Sequence, residues 1–368
     1  MLGYKLLTPG PLTTTESVKQ EMLVDHCTWD TDYMQITQDI RSGLLELAHC
    51  NPEIYTTVLM QGSGTFGVES TIISSVGKED KILICSNGAY GLRMCQIAES
   101  ASVPYMHYRE AFDTIIDAKK VAEILENNPD ITHVAMVHSE TTTGILNDIA
   151  SVAKVAKEND KVFIVDAMSS FGGVEIDVEA LDIDFLVSSA NKCIQGVPGF
   201  SFIIAKTKEI EKCKGKSCSL SLDLYDQWLH MNPSGKWRFT SPTHVVLAFA
   251  KAMEELQKEG GISKREMRYR KNNALLIAGM KALGFQSYVK SAYQSPIITT
   301  FYYPENKKIA FMNFYTYIKE NGYAIYPGKL TEAETFRVGN IGEIYPEDME
   351  KLCNMIGQYM DTEYLYNV

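Results

Sequence analysis

Residues 161–192 read KVFIVDAMSSFGGVEIDVEALDIDFLVSSANK, and this stretch decides the fold. It opens on an apolar run, 161–166, that ends in a carboxylate, Asp166. A second run, 184–187, passes into Ser188-Ser189-Ala190-Asn191-Lys192. Neither run alternates, which is the pattern of strands covered on both faces. Parallel sheets present ligands at the carboxyl ends of their strands, so Asp166 stands where a catalytic acid would. Taken alone, such an Asp would more simply be a surface residue or a helix cap. Lys192 shifts that balance. Small residues precede it and Gly196-Val197-Pro198-Gly199 follows it. A lysine in so small a turn is poorly explained as a solubilising charge. Burial would disfavour its ammonium form, and a neutral amine can attack an aldehyde.

Outward from this stretch, residues 55–205 alternate strands with helices. Strands are expected at 55–60, 81–86, 132–138, 161–166, 185–188 and 200–205. Helix-length segments lie at 67–76, 118–127 and 149–159, the last with Val152, Val155 and Ala156 on one face. Such alternation implies a mostly parallel sheet with right-handed crossovers. After about residue 240 the texture changes. Helical patterns occupy 243–259, 263–283, 307–321 and 346–360, with short strands at 296–301, 323–326 and 335–338. The expected architecture is α/β: a large domain, 16–250, with a mostly parallel central sheet flanked by helices. A smaller α+β domain, 251–368 with the N-terminal segment 1–15, completes it.

The first βα turn is Gly62-Ser63-Gly64-Thr65-Phe66-Gly67, a match to G-x-G-x-x-G. A dinucleotide site would need an acid at the end of the next strand, for the ribose hydroxyls. Here that strand runs into Asn87 and Gly88, while Glu79 and Asp80 precede it. A monophosphate suits the turn better. Ser63 and Thr65 offer hydroxyls, Gly64 lets the backbone approach, and a helix N-terminus favours an anion. The plain alternative is a tight turn that needs glycine for its conformation. Pyridoxal phosphate requires a lysine, an acid for the pyridine nitrogen and an anion site for the phosphate. Lys192, Asp166 and the 62–65 turn supply all three.

These motifs resemble the class V aminotransferases of fold-type I. Val165-Asp166-Ala167-Met168-Ser169-Ser170 is similar to the family's strand-end acid, and Ser189-Ala190-Asn191-Lys192 to its lysine motif. The segment 138–144 resembles the one whose hydroxyl touches the cofactor ring oxygen, which falls on Thr141. The segment 87–91 resembles the one carrying the ring-stacking aromatic, here Tyr90 where the family often has Trp. The segment 336–342 resembles the motif whose arginine, here Arg337, binds the substrate acid. Stretches 7–11, 191–200, 219–228 and 236–244 resemble one branch of the family. Its implied amino donor is 2-aminoethylphosphonate and its acceptor pyruvate; an alanine–glyoxylate or serine-type aminotransferase is the alternative. The resemblance also implies a homodimer in which Thr240 reaches the cofactor phosphate of the partner subunit. Arg93 then suits either a phosphonate contact or an ordinary ion pair.

Composition narrows the partners. With 45% hydrophobic and 22% charged residues the chain is ordinary for a globular protein. A net charge of -11 argues against nucleic acid, whose backbone would repel it. No stretch approaches the ~20 apolar residues that span a bilayer. Residues 1–15 lack a basic region followed by an apolar run, so no leader is expected. The cysteines at 27, 50, 85, 95, 193, 213, 218 and 353 form no C-x-x-C pair and no metal pattern. They read as reduced thiols of a cytoplasmic protein, several of them buried. His133 and His138 read as packed side chains, Trp29, Trp228 and Trp237 as core or interface aromatics, and the basic patch 264–271 as a solvated helix face.

Overall fold

The continuous apolar runs pair into one seven-stranded sheet. The computed structural model describes residues 3–305, 309–328, 330 and 333–366. In chain order the large layer contains α1 (Thr31–Leu47), β1 (Tyr55–Gln61), α2 (Gly64–Ser75), β2 (Ile82–Ser86), α3 (Ala89–Ser100) and β3 (Tyr105–Arg109). It continues with α4 (Ala118–Asn127), β4 (His133–Val137), α5 (Ile149–Glu158), β5 (Val162–Asp166), β6 (Phe185–Ser189), β7 (Phe200–Lys206) and α6 (Thr243–Glu259). The strand order is β1-β7-β6-β5-β4-β2-β3. All neighbours run parallel except β7, which is antiparallel to both β1 and β6.

Strand pleating sends alternate residues to two separate apolar layers. Phe163 and Val165 of β5 join Leu44 of α1, Val152 and Ala156 of α5 and Phe249 of α6. Ile164, between them, joins Ile72 of α2 and Ala98 of α3 on the opposite face. Helices therefore cover both faces, as the unbroken apolar runs require. β3 was not among the expected strands. It is an edge strand whose sequence, YMHYR, buries only Tyr108, so it lacks an apolar run.

Past α6, the chain forms α7 (Gly261–Ala282), β8 (Gln286–Ser287), β9 (Ile298–Tyr302), α8 (Phe311–Glu320), β10 (Tyr326–Pro327), β11 (Thr335–Gly339) and α9 (Pro346–Tyr366). Their antiparallel sheet has the order β8-β9-β11-β10. The strand expected at 323–326 is split. Tyr323–Ala324 pairs in parallel with Lys5–Leu6, whereas Tyr326–Pro327 pairs with β11. Leu7 packs into the same apolar cluster as Phe301, Phe336 and Leu352. Of the helix expected at 307–321, residues 307 and 308 lie outside the described residues.

The basic stretch 264–271 departs from its expectation. Lys264, Arg270 and Lys271 are exposed, but Arg265 is buried and Arg268 nearly so. Both pair with Glu259, at 2.8 and 2.7 Å. Arg265 also donates to the carbonyls of Cys193 and Ile194, at 2.9 and 3.1 Å, and so ties α7 to the turn after Lys192. Charge density along a sequence does not reveal which cations meet a buried carboxylate. His133, His138, Trp228 and Trp237 are buried as expected, while Trp29 is exposed beneath Lys236.

Candidate active site

Asp166 ends β5 between Val137 of β4 and Val187 of β6, at the carboxyl edge of the sheet. Its carboxylate is buried and accepts the Met168 N–H at 2.9 Å. Burial pushes its pKa up to about 6. The Met168 N–H pulls the other way, the negative charge of Glu140 adds to the rise, and Lys192 and Arg93 oppose it. Lys192 follows β6 on a tight turn in which Gln195 N–H returns to Lys192 O at 2.7 Å. Its ammonium donates to Pro9 O at 3.0 Å. Gly10 sits against it with φ of 131°, and a Cβ there would stand 2.7 Å from Nζ. Only glycine fits that approach in that conformation.

Across the cleft, β1 turns into α2 through Gly62. Ser63 is the N-cap residue but makes no side-chain cap bond, so no side chain of the cap covers the first-turn N–H groups. Thr65 Oγ1 accepts from Arg93 Nη1 at 3.2 Å. The Arg93 guanidinium lies 4.9 Å from the Tyr90 ring centroid. Residues 90 and 93 are three apart on α3 and share one face.

Ser63, Gly64, Thr65, Tyr90, Asp166 and Lys192 line one cleft of about 190 Å³, together with Arg93 and Met168. The remaining expected residues, Thr141, Arg337 and Thr240, do not line it. Thr141 is buried, and its hydroxyl has no hydrogen-bond partner among the described residues. Its carbonyl accepts from Arg337 Nη1 at 3.0 Å, and Arg337 Nε donates to Pro327 O at 3.0 Å. Arg337 is thus buried and aimed by two carbonyls, and burial lowers its pKa. Thr240 is exposed and outside the cleft of its own chain. A larger cavity, about 660 Å³, lies between α1, α6 and the start of α7. Its walls mix Ile36, Ile40 and Met253 with Asp39, Glu46 and Glu254, and it holds none of the expected residues.

Sequence reasoning did not assign three parts of this site. The Pro9 carbonyl reaches Lys192 across 183 residues and leaves no local trace. Arg93 was legible only as a cation of undecided role, although its i, i+3 spacing from Tyr90 placed both on one helical face. Glu140 lies within the segment 138–144, where the resemblance gives it no function, and it is fully buried.

Comparison with known proteins gives the family. Residues 26–337 match the family model described as aminotransferase class-V. The chain is 56% identical over 360 residues to a 2-aminoethylphosphonate–pyruvate transaminase of Lysinibacillus sphaericus, covering 98% of each chain. It is 55% identical to a bifunctional phosphonoacetaldehyde hydrolase/aminoethylphosphonate transaminase of Clostridioides difficile, covering 97% of this chain and 56% of that one. Among solved structures, alanine–glyoxylate aminotransferase from Nostoc sp. superposes with a TM-score of 0.90 at 24% identity, over 98% of this chain and 96% of that one. That likeness is one of fold. The family match and the identity to these relatives place the chain among the class-V aminotransferases.

Proposed function

We propose that this aminotransferase uses pyridoxal phosphate to move the amino group of 2-aminoethylphosphonate to pyruvate, giving phosphonoacetaldehyde and L-alanine. The observation that carries the chemistry is the convergence of Lys192, Asp166 and the start of α2 on one cleft. The substrate pair rests on the relative with 56% identity over nearly the full chain.

The residues fit the cofactor. Thr141 offers a buried hydroxyl without a partner among the described residues, suited to the ring oxygen. Asp166 is a buried carboxylate of raised proton affinity, suited to sharing a proton with the pyridine nitrogen. The first turn of α2, with Ser63, Gly64 and Thr65, suits the phosphate. When bound, the cofactor supplies an electron sink for the carbanion.

Lys192 would hold C4′ covalently. Its amine, once free, would take the proton from substrate C1 as base and return a proton as acid. Asp166 keeps the pyridine nitrogen protonated. Tyr90, which lines the cleft, would form the wall beside the ring. Arg337 binds the phosphonate in one half-reaction and the carboxylate in the other, because its planar fork suits both anions. Thr240 serves the phosphate of the partner subunit, so the working unit is a homodimer. We further place the large domain at 16–250 and the small one at 251–368 with 1–15, with α6 crossing between them, and the protein in the cytoplasm.

The test is a donor and acceptor screen on purified protein loaded with pyridoxal phosphate. Alanine should form from pyruvate with 2-aminoethylphosphonate, and the visible band of the holoenzyme should bleach with that donor alone. Borohydride reduction and peptide mapping should label Lys192. Turnover of alanine with glyoxylate, and none of the phosphonate, would replace this reading with the alternative. A label on another lysine would remove Lys192 from its role.

A further inference from the structure

Glu140 lies against the first turn of α3 with no solvent exposure and forms no ion pair among the described residues. A buried carboxylate without a cation costs several kcal/mol unless hydrogen bonds replace its water. Here four donors offset part of that cost, and burial still raises the carboxyl's pKa. Thr142 N and Thr142 Oγ1 donate to Oε1 at 3.1 and 2.5 Å, and Tyr90 N and Gly91 N donate to Oε2 at 3.1 and 3.4 Å. The last two belong to the first turn of α3, which has no cap side chain of its own because its N-cap is Gly88. A Cβ on Gly88 would lie 2.2 Å from Glu140 Cγ, so the missing side chain is what admits the carboxylate. Thr142 Oγ1 completes the cap by accepting Ala89 N–H at 3.1 Å. The turn held in this way carries Tyr90, and Arg93 follows on the same face.

We infer that Glu140 is a positioning residue that fixes the Tyr90–Arg93 wall of the cleft by capping α3 from a distant strand. The inference rests on the proposed cofactor chemistry and extends it to the residue that aims the ring wall. Each carboxylate oxygen already accepts two hydrogen bonds. A Glu140→Gln side chain keeps one oxygen and turns its NH2 toward donors on the other side, so it can hold either Thr142 or α3 but not both.

The experiment compares holoenzymes by pyridoxal-phosphate dissociation constant, visible circular dichroism of the bound cofactor, and donor KM against kcat. Glu140→Gln should weaken cofactor binding at least tenfold, shrink the dichroic band and raise donor KM. Asp184→Asn is the control for a lost buried carboxylate. It leaves one oxygen where Asp184 offers two, one to Phe163 N–H and one to Lys206, and it lies at the opposite end of the sheet. It should lower the melting temperature and leave the dichroism unchanged. If Glu140→Gln lowers only the melting temperature, the positioning role is overturned. Should Glu140→Gln not fold, Thr142→Val decides. It removes two bonds of the same cap, and Thr142→Ser, which keeps both, should restore parental cofactor affinity. Parental affinity and dichroism in Thr142→Val would overturn the inference. Failure of the parent protein itself to bind the cofactor would overturn the functional reading and this one together, whereas failure in the variants alone touches only Glu140.

Discussion

Asp166 carries a burial cost that its neighbours only partly offset. In the cofactor-free protein its folded pKa, about 6, lies above the ordinary value of 3.8. The folded state therefore binds this proton more tightly than the unfolded chain does. Stability from this group is fully present below about pH 4 and is lost as pH rises through about 6, by about 3 kcal/mol at most. Asp166→Asn abolishes that titration. Urea unfolding of the apoproteins should find the variant more stable than the parent at pH 7 and equal to it near pH 4; parallel pH profiles would exclude the assignment. The same variant in the holoenzyme should lose most turnover. Arg337 gives a second prediction at this scale. Its fork spans the Pro327 and Thr141 carbonyls, which a lysine cannot do. Arg337→Lys should weaken both half-reactions together, by about 2 kcal/mol in transition-state binding. Single-turnover measurements separate the halves, and a loss confined to the pyruvate half would show that the phosphonate has its own anchor.

At the scale of elements, α2 matters because its first turn is the proposed phosphate site and its body lies directly on the sheet. Gly67 makes that closeness possible. A Cβ there would stand 2.6 Å from Ser201 Oγ and 3.1 Å from Val187 Cγ1, on the two strands beneath. Gly67→Ala should therefore push α2 off β6 and β7, at about 1–3 kcal/mol of stability. A lower urea midpoint and weaker cofactor binding should appear together, since the N-terminus moves with the helix. An unchanged midpoint would mean that the sheet yields instead. The helix itself was legible as a helix-length segment after the glycine turn, and α5 from its apolar spacing. The edge strand β3 was not, because only its place beside β2 makes YMHYR a strand. The orientation of α7 was not legible either. Its buried Arg265 is explained by Glu259 and the carbonyls after Lys192, none of which its own sequence announces.

At the scale of the molecule, Thr240 stands outside its own cleft, beside exposed apolar residues. Phe239 and Leu220 are exposed there, and Arg238 joins them by stacking on Phe239 and donating to Leu220 O. Exposed apolar side chains beside Thr240 suit the association that the proposed homodimer requires. The proposed homodimer makes a prediction that neither chain alone could satisfy. Lys192→Ala and Thr240→Ala chains, each inactive or weak as homodimers, should regain activity when mixed, unfolded and refolded together. One site of each mixed dimer would then contain both an intact Lys192 and an intact partner Thr240. Refolded mixtures no more active than the average of their parents, with mixed dimers present by mass, would exclude the shared site.

The sequence by itself determined the α/β layout, the acid at the end of β5, the lysine after β6 and the glycine turn before α2. Each is a local signal: an unbroken apolar run, a cluster of small residues, a turn followed by a helix. Backbone geometry converts such signals into position without help from the rest of the chain. What only the tertiary structure decided is which groups meet. Pro9 O reaches Lys192 over 183 residues, and Glu140 caps Tyr90 over 50. A buried polar group takes its partner from whatever packing brings within hydrogen-bond reach, and that choice is made between elements distant in sequence.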